Sequence, residues 1–457
     1  MPNRKDLLQA HRLMTQRAAL ALIAGDPDSP NQPLRRRNTA TVAAVIAGVI
    51  AAGVFAVLGL LSPGTVSGLT KAGTLVIDKD TATPYVPCQG DELCPSLNYA
   101  SALLALDTSS VNRVDVTQAT LSHYKIGPAI GIAGLPQDLP TVADLVKGPW
   151  SVCAADGVST LVGGVSVGGT PLSAGEATLV TTPVGGDWVL WQGERLRIAS
   201  GVMQTLFGGG TAPGGTAPGV VPAAWLNAIP QGPDFTAPAI SGAGAHVRGP
   251  SGAALVGQVY VVAGGAGTPT QNYVLERSGQ LAMVTPVQAA LLARQPGAPK
   301  PRQISPSIAA NDLAGVGGGI AAGGLPATLP RLAALSSPTC VTYGAGLSRQ
   351  LTTGGTVPAN AVPTNAAPSA GGVDQVWLPP DHGALVGVEP SAGSSAPVTS
   401  WFLVTGATRY ALSSSGIAAV LGYNLTSDGT ELPASLMQLV PQGKVLDPAA
   451  ATVKASS

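Results

Sequence analysis

The sequence predicts a single-pass membrane protein whose part beyond the membrane is α+β, with a central β-domain and four degenerate repeats, each a strand pair followed by a helix. Three observations predict it. An uncharged apolar run fills residues 39–61, a strand–turn–strand–helix grammar recurs four times after it, and short β-rich segments carrying distant cysteines lie between the recurrences. The composition fits: only 11% of residues are charged and 4% aromatic, while 59 glycines and 40 prolines call for short elements joined by loops. The neutral total hides two oppositely charged halves, +4 in residues 1–38 and −4 in the rest, and no basic stripe with interleaved aromatics suggests nucleic acid.

The run TATVAAVIAGVIAAGVFAVLGLL at 39–61 reaches roughly 34 Å as a helix, enough to cross a hydrocarbon core of about 30 Å with a little tilt. A cleaved signal peptide would have a shorter apolar core and a small-residue cleavage site, and would not need the 38 residues that precede this run. Residues 1–38 carry seven Lys or Arg against three Asp, with Arg35, Arg36 and Arg37 at the membrane edge. By the positive-inside rule these arginines set the topology, with the N-terminus cytoplasmic and residues 62–457 outside.

Ahead of the anchor, residues 4–25 hold good helix formers, stopped by Gly25-Asp26-Pro27. Leu7, His11, Met14, Ala18 and Ala21–Leu22 share one stripe at helical spacing. The stripe is modest and rich in alanine, so it reads as a face that docks on a protein partner rather than on the inner leaflet.

Beyond the membrane the four recurrences occupy 74–106, 187–208, 258–293 and 400–423. The second and fourth are each followed by a helix that opens on proline and leaves through a Pro-Gln-Gly, in VPAAWLNAIPQGPDF (221–235) and LPASLMQLVPQGKVL (432–446). The segments 148–155, 160–167 and 339–346 read as strands of a central sheet. Residues 208–219 and 352–372 are low-complexity loops, and the tail after Asp447 reads as flexible.

All four cysteines fall outside, where disulfides form and persist, and four cysteines allow three pairings. The short loop PCQGDELC favours Cys88 with Cys94, which leaves Cys153 with Cys340. A zinc site is the rival, and no histidine lies near these cysteines in sequence.

Motifs for catalysis are thin. No G-x-x-x-x-G-K-[ST] occurs: Gly443-Lys444 continues as Val445. Gly164-Val165-Ser166-Val167-Gly168 matches the serine-hydrolase elbow, but Gly169-Thr170-Pro171 follows where a helix is needed. Gly317-Gly318-Gly319-Ile320-Ala321-Ala322 fits a loose dinucleotide pattern without a preceding strand or a following acid, and reads as a flexible loop. His123, His246 and His382 are scattered, and Asp234 and Asp447 sit where turns are expected. No catalytic, cofactor or metal residue is assigned.

Taken together, LLQAHRLMTQRAALALIAGDPD (7–28), Pro33, Arg35–Arg37, the single anchor, LNYASALLAL (97–106), GPWSVC (148–153) and the four repeats resemble the EccB family of actinobacterial type VII (ESX) secretion systems. The resemblance covers most of the chain. It implies a structural inner-membrane subunit with a cytoplasmic helix, one anchor and a periplasmic part, assembling with copies of itself and with the EccC motor, EccD, EccE and the mycosin protease. It places a central disulfide at Cys153 and Cys340, whereas Cys88 and Cys94 are an addition to the family pattern. Family repeats resemble wall-binding modules of phage lysins, so a peptidoglycan-binding module is the alternative reading. Members have also been described as ATPases, for which these residues offer no P-loop.

The expected organisation is a cytoplasmic helix and basic linker (1–38), the anchor (39–61), repeat 1 (62–147), the central domain in two parts (148–186 and 336–390), repeats 2, 3 and 4 (187–235, 258–300 and 400–447) and a tail (448–457).

Overall fold

A computed structural model describes residues 3–25, 33–61, 68–208, 217–265, 267–314, 319–344, 349–365, 371–389 and 397–455. The chain divides into two units, one of Met1–Gly68 with Thr117–His123, the other of Leu69–Val116 with Tyr124–Ser457. In the first unit, helix α1 (Arg4–Ala24) stops at Gly25, whose positive φ of 69° lets its N–H reach the Ala21 carbonyl at 3.2 Å. Helix α2 (Pro33–Leu61) is continuous for 29 residues and opens on proline, where a missing N–H costs no hydrogen bond. Thr39–Val57 is long and apolar enough to cross a membrane.

In the second unit, four sheets share one topology. Three antiparallel strands form a meander, and a fourth strand lies parallel to the first: Thr74–Asp78, Pro84–Cys88, Glu92–Pro95 and Asn112–Val116 in repeat 1. The equivalents are Glu176–Thr181, Asp187–Trp191, Glu194–Ile198 and Gly219–Val220 in repeat 2, and Val259–Val262, Gln271–Leu275, Leu281–Val284 and Arg302–Gln303 in repeat 3. In repeat 4 they are Gly383–Glu389, Ser400–Thr405, Thr408–Ala411 and Gly429–Pro433. A helix follows the third strand each time, such as α3 (Tyr99–Leu106) in repeat 1.

The repeat is therefore larger than the strand pair and helix that the sequence suggests. The first strands of repeats 2 and 4, Glu176–Thr181 and Gly383–Glu389, fall inside the ranges assigned above to the central domain. Both are nearly continuous buried apolar runs, and such runs carry no periodicity to say which sheet they join.

The central sheet has seven strands in the spatial order Val362–Pro363, Gln375–Trp377, Val158–Gly163, Trp150–Ala155, Thr339–Tyr343, Arg349–Thr353 and Thr170–Pro171. Its middle hairpin turns at Asp156-Gly157, both at positive φ, the residue pair that a tight right-twisting turn prefers. Side chains alternate across it. Trp150, Val152, Leu161, Val341, Tyr343 and Val376 enter the main core, while Cys153, Val162 and Cys340 face the other way.

Two loop expectations change. The described part of 352–372 contains the edge strand Val362–Pro363 and lays Val357 over the central disulfide, and the Ala359 carbonyl accepts from the Trp377 indole at 3.1 Å. The described part of the tail is ordered: Asp447 caps a helix, Pro448–Ala451, with Ala451 fully buried, and Lys454 pairs with Ile130. Proline after a capping Asp starts that helix, and small apolar residues pack it closely, which composition alone reads as a loose end.

Candidate assembly surfaces

The Pro-Gln-Gly shared by repeats 2 and 4 has a structural cause. After its last helix each repeat sends a segment back along the outer edge of its third strand. In repeat 2 the Arg195 N–H donates to the Pro230 carbonyl at 3.0 Å, and the Gly232 N–H returns to the Arg195 carbonyl at 3.0 Å. In repeat 4 Arg409 makes the same pair with Pro441 and Gly443, at 2.9 and 2.8 Å. Repeats 1 and 3 make it with Lys125 and Gly127 on Leu93, and with Asp312 and Ala314 on Leu281.

Arg195 and Arg409 are equivalent in side chain as well. Each guanidinium lies 5.1 Å from the centre of an aromatic ring on the second strand, Trp188 and Phe402 respectively. Burial lowers the pKa of both. Arg195 also donates from Nη1 to the Leu226 carbonyl at 3.0 Å and to Asn227 Oδ1 at 2.7 Å, tying its hairpin to the helix Ala223–Ala228. Sequence reasoning passed over these arginines, although an aromatic seven positions before an arginine in both repeats is a visible signal.

The helices Ala223–Ala228 and Ala434–Met437 each have proline as the residue before their first turn, Pro222 and Pro433. Both pack on the inner face of the central sheet, and Trp225, Leu436 and Met437 are fully buried there. Between them Tyr343 donates its hydroxyl to the Ala228 carbonyl, and burial pushes its pKa up to about 12. Repeats 2 and 4 thus hold the same sheet from one side, in a single apolar core.

The outer face carries the bond between Cys153 and Cys340, which sit directly opposite in antiparallel register although 187 residues apart in sequence. The serine motif lies over this face. Gly169 and Gly355 leave no room for side chains, since a Cβ on Gly169 would lie 2.9 Å from the Thr353 carbonyl and one on Gly355 2.7 Å from the Val167 carbonyl. The Thr356 N–H donates to Val167 at 2.7 Å. Gly169, just after the motif, and Gly355 serve this backbone-to-backbone packing, and the exposed Ser166 hydroxyl accepts from the Gly168 N–H at 3.4 Å. The second bond, Cys88–Cys94, braces the hairpin of repeat 1.

The remaining expected residues are separate. Leu7, His11, Met14 and Ala18 are exposed along α1, and Arg35, Arg36 and Arg37 fall in the first turns of α2. His246 is exposed on a hairpin, His123 lies in the first unit, and His382 holds the Pro380 carbonyl through Nδ1 at 2.7 Å. Of the dinucleotide-like stretch, 317 and 318 lie outside the described residues. Gly319 and Ile320 run along Leu281–Val284, with the Ile320 N–H on the Met283 carbonyl at 2.9 Å, so this part is an edge segment rather than a flexible loop. Among the described residues no group of three His, Cys, Asp or Glu could hold a metal ion.

Comparison with known proteins fits this architecture. The family model for the type VII secretion system ESX-1 transport TM domain B, EccB, matches residues 1–457. The ESX-5 secretion system ATPase EccB5 of Mycobacterium tuberculosis H37Rv is 28% identical over 97% of this chain and 92% of its own length. The ESX-3 secretion system ATPase EccB3 of Mycolicibacterium smegmatis is 30% identical over 62% of this chain and 55% of its own. A chain of an intact ESX-5 inner membrane complex superposes with a TM-score of 0.63 at 25% identity, covering 100% of this chain and 96% of that one. The EccB3 dimer from the ESX-3 core complex gives 0.63 at 25% identity, over 83% and 99%. With one candidate anchor among the described residues, a mixed α+β unit after it and a family match from end to end, the chain belongs to the EccB family of type VII secretion systems.

Proposed function

We propose that this chain is a membrane-anchored structural subunit of a type VII secretion core complex, with its N-terminus in the cytoplasm and its α+β unit on the far side of the inner membrane. The end-to-end likeness to a chain of an intact ESX-5 inner membrane complex carries this reading. Arg35, Arg36 and Arg37 beside the anchor support the orientation, as do two disulfides in the C-terminal unit, which call for an oxidising compartment.

Its work is assembly by buried surface. The face of α1 bearing Leu7, His11, Met14 and Ala18 docks in the cytoplasmic base, α2 anchors, and the outer unit associates with a second copy and with other subunits. The EccB3 dimer supports self-association. The relatives carry ATPase in their names. In this sequence no P-loop could cradle phosphates, and ATP turnover is assigned to a partner motor such as EccC.

The test is affinity purification of the tagged full-length protein from gently solubilised membranes, followed by native mass analysis. Recovery in a large assembly with a motor ATPase and multi-span subunits is the expected result. Recovery alone, bound to wall fragments, would overturn it in favour of a peptidoglycan-binding module.

A further inference from the structure

Residues 447–455 lie against the first repeat. Lys454 pairs antiparallel with Ile130, the Ala455 N–H donates to the Ala129 carbonyl at 2.8 Å, and the Gly131 N–H donates to the Val453 carbonyl at 3.3 Å. The receiving segment is the one that returns along the third strand of repeat 1, so residues 453–455 add a further strand to that sheet. Helix Pro448–Ala451 packs on α3, with Ala451 fully buried. Leu446, just before it, is bonded into repeat 4 through the Ala411 carbonyl at 2.8 Å. Nine residues thus join the end of the last repeat to the edge of the first.

That edge is fixed from behind. Ile130 donates to the Pro95 carbonyl at 2.9 Å, and Ser101 and Asn98 of the LNYAS motif hold the Ile132 N–H and carbonyl at 3.0 and 2.9 Å. Gly127 is pressed on the disulfide: a Cβ there would lie 2.6 Å from Cys94 Sγ and 3.1 Å from Cys88 Sγ. Cys88, Cys94, Ile130, Thr452 and Lys454 also line one cavity of about 680 Å³.

We propose that residues 447–455 are a releasable strap that ties repeat 4 to repeat 1, and that the Cys88–Cys94 disulfide braces the edge on which the strap is seated. Two cross-strand hydrogen bonds hold residues 453–455, so their release is a local event that can leave Ala451 in place. The disulfide that the family resemblance leaves unexplained acquires a role: it keeps the third strand and the return segment in register for the strap.

Amide hydrogen exchange on the full-length protein in detergent tests both parts. Ending the chain after Leu446 is expected to speed exchange at Gly131 and its neighbours at least tenfold while leaving Gln271–Leu275 in repeat 3 unchanged. Unaltered exchange at Gly131 would overturn the strap. If truncation unfolds the whole unit, Ala455→Pro removes one strap donor and is expected to raise exchange at Gly131, whose N–H donates to the Val453 carbonyl; no change there overturns it equally. The Cys88→Ser, Cys94→Ser double variant is expected to speed exchange at Ala455 and Gly131 as well as at Gly127 and Ile130. Protection of Ala455 and Gly131 equal to wild type in that variant would overturn the bracing role.

Discussion

Repeats 2 and 4 share a skeleton down to individual hydrogen bonds, yet the same glycine in each is needed for a different reason. At Gly443 the obstacle to a side chain is the buried ring of Tyr410, which would lie 2.6 Å from an added Cβ, and the methyl of Thr408 at 2.8 Å. At Gly232 it is the carboxylate end of Glu194 at 2.5 Å, which is half-exposed and free to swing away. The backbone pattern is common property of the repeat, while the cost of violating it is set by neighbours that have diverged.

The largest effect should fall on both repeats alike. Replacing Cys153 and Cys340 together by alanine removes a cross-link over 187 residues, for which the chain-entropy model gives about 5 kcal/mol. The melting temperature should drop, with hydrogen exchange rising in Asp187–Trp191 and Ser400–Thr405 together. Loss of protection in one repeat only would break the picture of two repeats on one sheet.

Next come the helices on that sheet. Trp225→Ala and Leu436→Ala each empty a fully buried position, at a cost of about 3–5 and about 2–5 kcal/mol respectively. Urea unfolding of the detergent-solubilised protein measures both, and a larger loss at Leu436 would mean that repeat 4 carries more of the shared core.

The glycine pair then sharpens the contrast. Gly443→Ala should destabilise by about 2 kcal/mol through overpacking against Tyr410, and Gly232→Ala by less than about 1 kcal/mol. Equal midpoints for the two variants would show that the close backbone approach, and not the neighbouring side chain, decides the cost.

The smallest effect is on pH. In repeat 2 the Ser173 backbone N–H and its hydroxyl, then Arg331, hold the Glu176 carboxyl below its ordinary 4.5. In repeat 4 the Asn424 N–H, the Ser427 hydroxyl and Lys147 hold Asp428 below 3.8. A depressed carboxylate stabilises the fold fully above its ordinary value and loses that contribution as pH falls through the lowered one. Glu176→Gln and Asp428→Asn should therefore each flatten the acid limb of a stability–pH profile and leave its shape near neutrality unchanged.

The sequence made the anchor, α1 and the recurrence legible because each rests on local pattern: an uncharged run, a stop at Gly25, a proline before a helix and a Pro-Gln-Gly after it. It also favoured Cys88 with Cys94, which share one hairpin. What it hid depends on long-range pairing. The strands Glu176–Thr181 and Gly383–Glu389 are absorbed, on sequence alone, into the ranges of the central domain, and only their partners assign them to repeats 2 and 4. The strap was hidden by composition, since alanine and proline after Asp447 resemble a frayed end until a neighbouring edge supplies the hydrogen bonds. Arg195 and Arg409 went unnoticed because an arginine on a strand ordinarily faces water, and it is the ring beside each that makes burial tolerable.

The spatial order of the central sheet has a consequence for timing. Trp150–Ala155 pairs with Thr339–Tyr343, so the middle of this sheet waits for a strand made almost two hundred residues later. Throughout that interval of synthesis Cys153 lacks its native partner, repeat 2 has no completed surface to settle on, and the edge of repeat 1 stays open until residues 453–455 are made. The Cys153 thiol is therefore open to mispairing until Thr339–Tyr343 has been delivered.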